Sequence, residues 1–133
     1  MTRYTIARSG REPIQFDGML LAQVSGGDKY AQKKHKRWHT IDVYATASGK
    51  YVAHVGFRCD SRYDAQHDDV EVCGQPADVV SFLSSYQPTA CIRGWPLPQH
   101  REHDARLRAA LNDSFEALVA EVLSLSEVFA ERV

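Results

Sequence analysis

Residues 38–58 read WHTIDVYATASGKYVAHVGFR. Ile41, Val43 and Ala45 alternate with Thr40, Asp42, Tyr44 and Thr46, the two-residue period of a strand with one buried face. Past Ala47-Ser48-Gly49, the residues Tyr51, Ala53, Val55 and Phe57 alternate with Val52, His54, Gly56 and Arg58. Loop length decides how these strands pair. A two-residue loop at Ser48-Gly49 sets Val43 opposite His54 and Ile41 opposite Gly56, mixing apolar with polar groups. A three-residue loop instead pairs Ala45 with Tyr51, Val43 with Ala53, Ile41 with Val55 and His39 with Phe57. It keeps one face apolar and puts Gly49 at the left-handed position that such loops need, so it is the expected turn.

The same register sets Thr46 opposite Lys50, Tyr44 opposite Val52, Asp42 opposite His54 and Trp38 opposite Arg58. The third is a candidate charge pair and the fourth a candidate stacked cation–π pair. This second face is either ordinary decoration of a solvent-facing sheet or a recognition face with Trp38 and Tyr44 as aromatic platforms.

Upstream, residues 4–8 predict a short strand ended by Ser9-Gly10, and residues 14–24 a second. Ile14, Phe16, Gly18, Leu20, Ala22 and Val24 fall on one face of it by simple alternation, with Gly18 as a bulge candidate. Met19 and Leu21 make its other face partly apolar, which calls for a cover. Ser25-Gly26-Gly27-Asp28 breaks the strand, and Lys29, Lys33, Lys34, Lys36 and Arg37 follow. A basic run beside aromatics is either solvated loop or the electrostatic part of a nucleic-acid site.

Downstream, residues 59–69 are polar and acidic, Val70, Glu71 and Val72 predict one more strand, and Gly74 ends it. Pro76 suits a first helical turn and Asp78 the helix N-terminus, with Val79, Val80, Phe82, Leu83 and Tyr86 as the buried stripe. Pro88 closes that helix, residues 89–93 are expected to be extended, and Gly94-Trp95-Pro96-Leu97-Pro98 is a stiff connector. From Gln99 to the end, Leu107, Leu111, Phe115, Leu118, Val122, Leu125 and Phe129 recur at helical steps. Glu102–Arg106 and Asp104–Arg108 are favourable pairs one turn apart. Asn112-Asp113-Ser114 could start a separate helix, with Glu116 completing a capping box, but one long helix is preferred. Val119, Leu123 and Val128 widen its apolar face, either to cover the sheet or to make a homodimer.

Strands followed by helices predict an α+β fold: an antiparallel sheet of about four to five strands in the N-terminal half, packed by a short helix and a long C-terminal helix. The chain has 133 residues, 44% hydrophobic and 25% charged, the composition of an ordinary soluble protein and enough for one domain over 1–133 with a real core. No apolar run reaches membrane-spanning length and the start has no apolar signal region, so a cytoplasmic protein of a bacterium or phage is expected. Cys59, Cys73 and Cys91 are odd in number and lack CxxC spacing, so reduced thiols are expected.

Phe16-x-Gly18-x-Leu20-Leu21-Ala22, then Arg37-Trp38, Val43-Tyr44-x-Thr46 and Gly49-Lys50-Tyr51-Val52, resemble a sheet segment of the EXLDI family of small bacterial proteins. The resemblance spans residues 16–57; the pentapeptide that names the family is absent. It implies a compact sheet and no assigned activity.

Residues 1–58 hold ten Lys and Arg against four Asp and Glu, and residues 59–133 six against thirteen, so net +6 faces net −7. The asymmetry fits an anionic partner for the basic half or complementary surfaces within one assembly. Two function classes follow. The preferred one is a non-catalytic binding or regulatory module without a cofactor, using Lys33, Lys34, Lys36, Arg37, Trp38, Tyr44 and Arg58 to hold nucleic acid or an acidic protein surface. The alternative is a small metal-dependent enzyme built on His100, His103 and Asp104, since residues three apart share a helix face. That run, HREHD, is no HExxH motif and declares no further ligand. The Gly26-Gly27 segment lacks the spacing of a phosphate-binding loop, and a cysteine–histidine nucleophile pair can only be judged by geometry.

Overall fold

The computed structural model describes residues 1–27, 37–60, 64–92 and 98–130. Five strands, β1 (Thr2–Arg8), β2 (Arg11–Ser25), β3 (Arg37–Thr46), β4 (Tyr51–Cys59) and β5 (His67–Cys73), form one antiparallel sheet in chain order. Helices α1 (Pro76–Ser85) and α2 (Arg101–Ser124) follow, giving the expected α+β architecture.

The central hairpin has the expected register: Ala45 pairs with Tyr51, Val43 with Ala53, Ile41 with Val55 and His39 with Phe57. Thr46 N donates to Lys50 O across the turn, and Gly49 takes φ of 84°, which a side chain would resist. The apolar face so created meets the helices. Ala22, Val24, Ile41, Val43, Ala53 and Val55 pack with Val79 and Leu83 of α1 and with Phe115, Leu118 and Val122 of α2. Val119 and Leu123 pack on the same core, so the broad apolar face of α2 serves the sheet. Nearer the start of α2, Leu107 and Leu111 close over Phe57 and Ile92.

Strand β2 departs from simple alternation. The pairing shifts between Leu20 and Ala22, so that Leu20 lies opposite Tyr44 and Ala22 opposite Val43. A bulge of one residue reverses the faces of everything beyond it. Ala22 and Val24 therefore join the helix-side core, whereas Ile14 and Phe16 pack with Tyr44 on the opposite face. Gly18 is not the bulge. A Cβ there would come within 2.2 Å of Ala45 O, so the glycine permits the close approach of two strands.

The sheet curls, and its edges meet: Ser9 N donates to Asp68 O at 2.9 Å, and Asp68 N to the Ser9 hydroxyl at 2.8 Å. Inside the curl, Ile6, Tyr44 and Val52 form a second core with Tyr4, Ile14, Phe16 and Val70 around it. The second face of the hairpin is thus covered around Tyr44 and Val52 by the folding-over of β1 and β2, and stays partly open at Thr40 and Arg58.

Both helices deviate slightly from expectation. α2 runs without a break through Asn112-Asp113-Ser114, but stops at Ser124 although the apolar pattern continues. Ser126 then caps a short 3-10 turn, Glu127–Phe129, by accepting from Val128 N. Residues 88–91 form turns rather than the expected extended run, with Ala90 N bonded to Gln87 O and Ile92 N to Thr89 O.

Candidate functional site

On the inner face of the curl, residues fall into cross-strand rows: Trp38 with Arg58, then Ser25, Thr40, Gly56 and Asp68, then Gln23, Asp42, His54 and Val70. Gly56 leaves a gap in its row. A Cβ at Gly56 would stand 2.5 Å from Thr40 Oγ1 and 2.8 Å from Arg58 Nη2. Because that space is open, Arg58 leans over Gly56 onto Asp68, which His54, two residues to the other side along β4, also reaches.

The result is a continuous polar chain. Gln23 Nε2 donates to Asp42 Oδ1 at 2.8 Å, and Asp42 Oδ2 lies 3.3 Å from His54 Nδ1, an ion contact rather than an aligned hydrogen bond. His54 Nε2 lies 2.7 Å from Asp68 Oδ1, to which Arg58 Nη2 also donates at 2.7 Å. Arg58 Nη1 reaches the carbonyls of Phe57 and His67. Buried charge survives only when so paired. Burial by itself would lower the His54 pKa, but its contacts with Asp42 and Asp68 outweigh this and raise it. For Asp68, burial pulls the carboxyl upward and is overcome by Arg58 and His54, which leave it below its ordinary value.

Beside this chain, Gln23, Val24, Ser25, Thr40, Asp42 and Arg58 line an open cavity of about 350 Å³. Arg58 keeps about a quarter of its side chain exposed. Trp38, half-buried, lies against Gly27, whose place a Cβ could take only 3.1 Å from the indole nitrogen.

The remaining expected binding residues separate. Arg37 is 4% exposed and forms a buried ion pair with Asp64, so its charge belongs to the interior and not to a surface. Tyr44 is 5% exposed and stacks at 4.7 Å on Tyr4 and 5.3 Å on Phe16, so it is a core residue and no platform. Lys33, Lys34 and Lys36 lie outside the described residues. Trp38 and Arg58 are cross-strand neighbours as expected, but the Arg58 guanidinium is committed to Asp68.

Compared with protein-family models, curated proteins and solved structures, the chain gives no match. Its chemistry must be read from its own geometry.

His100 immediately precedes α2, His103 is exposed on its first turn, and Asp104 pairs with Arg108 at 2.9 Å. Among the described residues no three His, Cys, Asp or Glu side chains converge as metal ligands. Nor do Cys73 and Cys91 resemble activated nucleophiles. Burial pushes the Cys73 thiol up to about 11, and burial together with Asp69 and Asp64 raises Cys91. Among the described residues no helix is long and apolar enough to cross a membrane.

The Asp42–His54–Asp68–Arg58 chain was hidden from sequence reasoning. Only the Asp42–His54 step was legible, through the hairpin register; Asp68 arrives from another strand.

Proposed function

We propose that the protein is a non-catalytic binding module whose ligand is single-stranded nucleic acid, held at the end of the sheet where β2 and β3 meet the basic segment. The observation that carries this reading is a juxtaposition. Trp38, Arg58 and the cavity lined by Gln23, Ser25 and Thr40 lie at the strand ends that flank residues 28–36, and that segment contains Lys29, Lys33, Lys34 and Lys36. An indole for base stacking, a partly exposed guanidinium and a cluster of lysines are the parts that such binding uses. Relative to the sequence reading, Arg37 and Tyr44 leave the contact set, and the site contracts to one end of the sheet.

Anisotropy titration of a labelled single-stranded oligonucleotide at two salt concentrations tests it. Binding that weakens steeply with salt is the expected result, because each neutralised phosphate releases a counterion. Absence of binding at low salt overturns it. An acidic protein surface would then be the ligand to examine.

A further inference from the structure

A groove of about 410 Å³ runs between α1 and α2 on the side of the molecule away from the curl. Leu83, Tyr86, Phe115 and Val119 give it apolar walls, and Ser84 and Glu116 stand among its lining residues. Its size lies in the range of small-molecule sites.

Two features place negative charge at this groove. The first is Glu116, exposed on α2. The second is the last turn of α1, represented by Leu83 and Ser84, where the helix dipole is negative and no basic residue stands to satisfy it. Beside them stands the half-buried Tyr86, whose ring lies 5.0 Å from the buried Phe115. Aromatic faces attract cations.

From this convergence we infer that the α1–α2 groove binds a small organic ammonium ion carrying an apolar body, with the cation between the Tyr86 ring and Glu116. His39 supports the geometry from behind. Its ring lies 5.1 Å from Phe115 and 6.1 Å from Tyr86, both edge to face. Burial lowers its pKa to about 4, so this imidazole adds no positive charge behind the rings near neutrality.

Two probes of nearly equal shape, phenethylammonium and its neutral counterpart 2-phenylethanol, decide the matter when titrated against the full chain by NMR. The ammonium is expected to bind with a dissociation constant on the order of 1 mM and about fivefold more tightly than the alcohol. Glu116→Gln, on an exposed position, should erase most of that preference while leaving the alcohol's affinity unchanged. Ser84→Lys, which supplies the helix end with its own cation, should erase it too. Equal affinity of the two probes overturns the inference, as does failure of the ammonium to saturate the Tyr86 and Phe115 resonances. A groove that takes a lysine-rich peptide but not the free amine also overturns it.

Discussion

His54 and Arg58 meet on a single atom: each places a ring or guanidinium nitrogen 2.7 Å from Asp68 Oδ1. The residue between them on the same face is Gly56, and its missing side chain is what lets the Arg58 guanidinium reach the carboxylate that His54 also holds. This contact fastens β5 to the inner face, while the Asp68 backbone, bonded to the backbone and hydroxyl of Ser9, fastens the end of β1 to β5. Asp68 therefore anchors both the charge network and the closure of the curl.

The raised pKa of His54 makes stability depend on pH in a defined direction. Its contribution is fully present below the unfolded value of about 6.5 and is lost as pH rises through the higher folded value. The stability difference between the natural protein and His54→Gln, followed by urea denaturation, should be largest in mild acid and shrink above neutrality. A difference independent of pH would show that the imidazole acts only through packing.

His39 works in the opposite sense. Burial holds it neutral down to about 4, whereas in the unfolded chain it takes a proton below about 6.5. Stability should fall as pH drops between those values, by on the order of 3 kcal/mol from this group. Its two ring nitrogens lack hydrogen bonds of good geometry, and the Pro88 backbone offsets the burial only in part. His39→Leu should therefore remove that acid-side loss and cost little at neutral pH. Unchanged acid sensitivity in the urea midpoint would contradict it.

These groups mark where the sequence was legible and where it was not. The hairpin register could be read because period-two alternation and Gly49 both constrain it locally. The faces of Ile14 and Phe16 could not, because the Leu20–Ala22 bulge leaves the alternation of residue types unbroken while reversing its direction. Tyr44 looked like a surface platform because the curl that buries it is a tertiary event, made by contacts between β1 and β5. Arg37 shows the same limit: its partner Asp64 lies 27 residues away, and nothing in a basic run says which member turns inward. The helix end at Ser124 was masked by Leu125 and Phe129, which prolong the apolar period after the backbone has left the helix.

The Arg37–Asp64 pair should behave as buried ion pairs do. Asp64→Ala leaves a guanidinium in the interior and is expected to cost about 3–5 kcal/mol. The double replacement Arg37→Met with Asp64→Leu should recover most of it, since the desolvation penalty disappears with both charges. Chemical denaturation of the single and double variants measures this. A double variant as unstable as the single one would mean that the pair is held for its shape.

Glycine replacements should rank by what the new methyl group meets. Gly18→Ala drives a Cβ into the Ala45 carbonyl, a backbone atom that cannot move without the strand, and should exceed the usual overpacking cost of about 1–3 kcal/mol. Gly56→Ala meets side-chain atoms, so Arg58 can swing away at a smaller cost within that range. The swing would free Asp68 from Arg58 and leave its carboxylate to His54 alone, so Gly56→Ala should also steepen the pH dependence assigned to His54. Thermal melts at two pH values test both points, and equal losses for the two glycines would refute the ranking.

Within the proposed binding site, charge and stacking should separate. Replacing Lys33, Lys34 and Lys36 together by Gln removes up to three phosphate contacts and should lower the slope of log affinity against log salt by about 2 for a single strand. Trp38→Ala removes a stacking surface, so it should weaken binding by about 1–3 kcal/mol while leaving that slope unchanged. Arg58→Gln should do both in part, because its guanidinium is shared with Asp68 and only partly available to a phosphate. Tyr44→Phe serves as the control: the ring is buried away from the ligand and the change should not affect binding. If the lysine variant keeps the full salt slope, the basic segment is solvated surface and the site lies elsewhere.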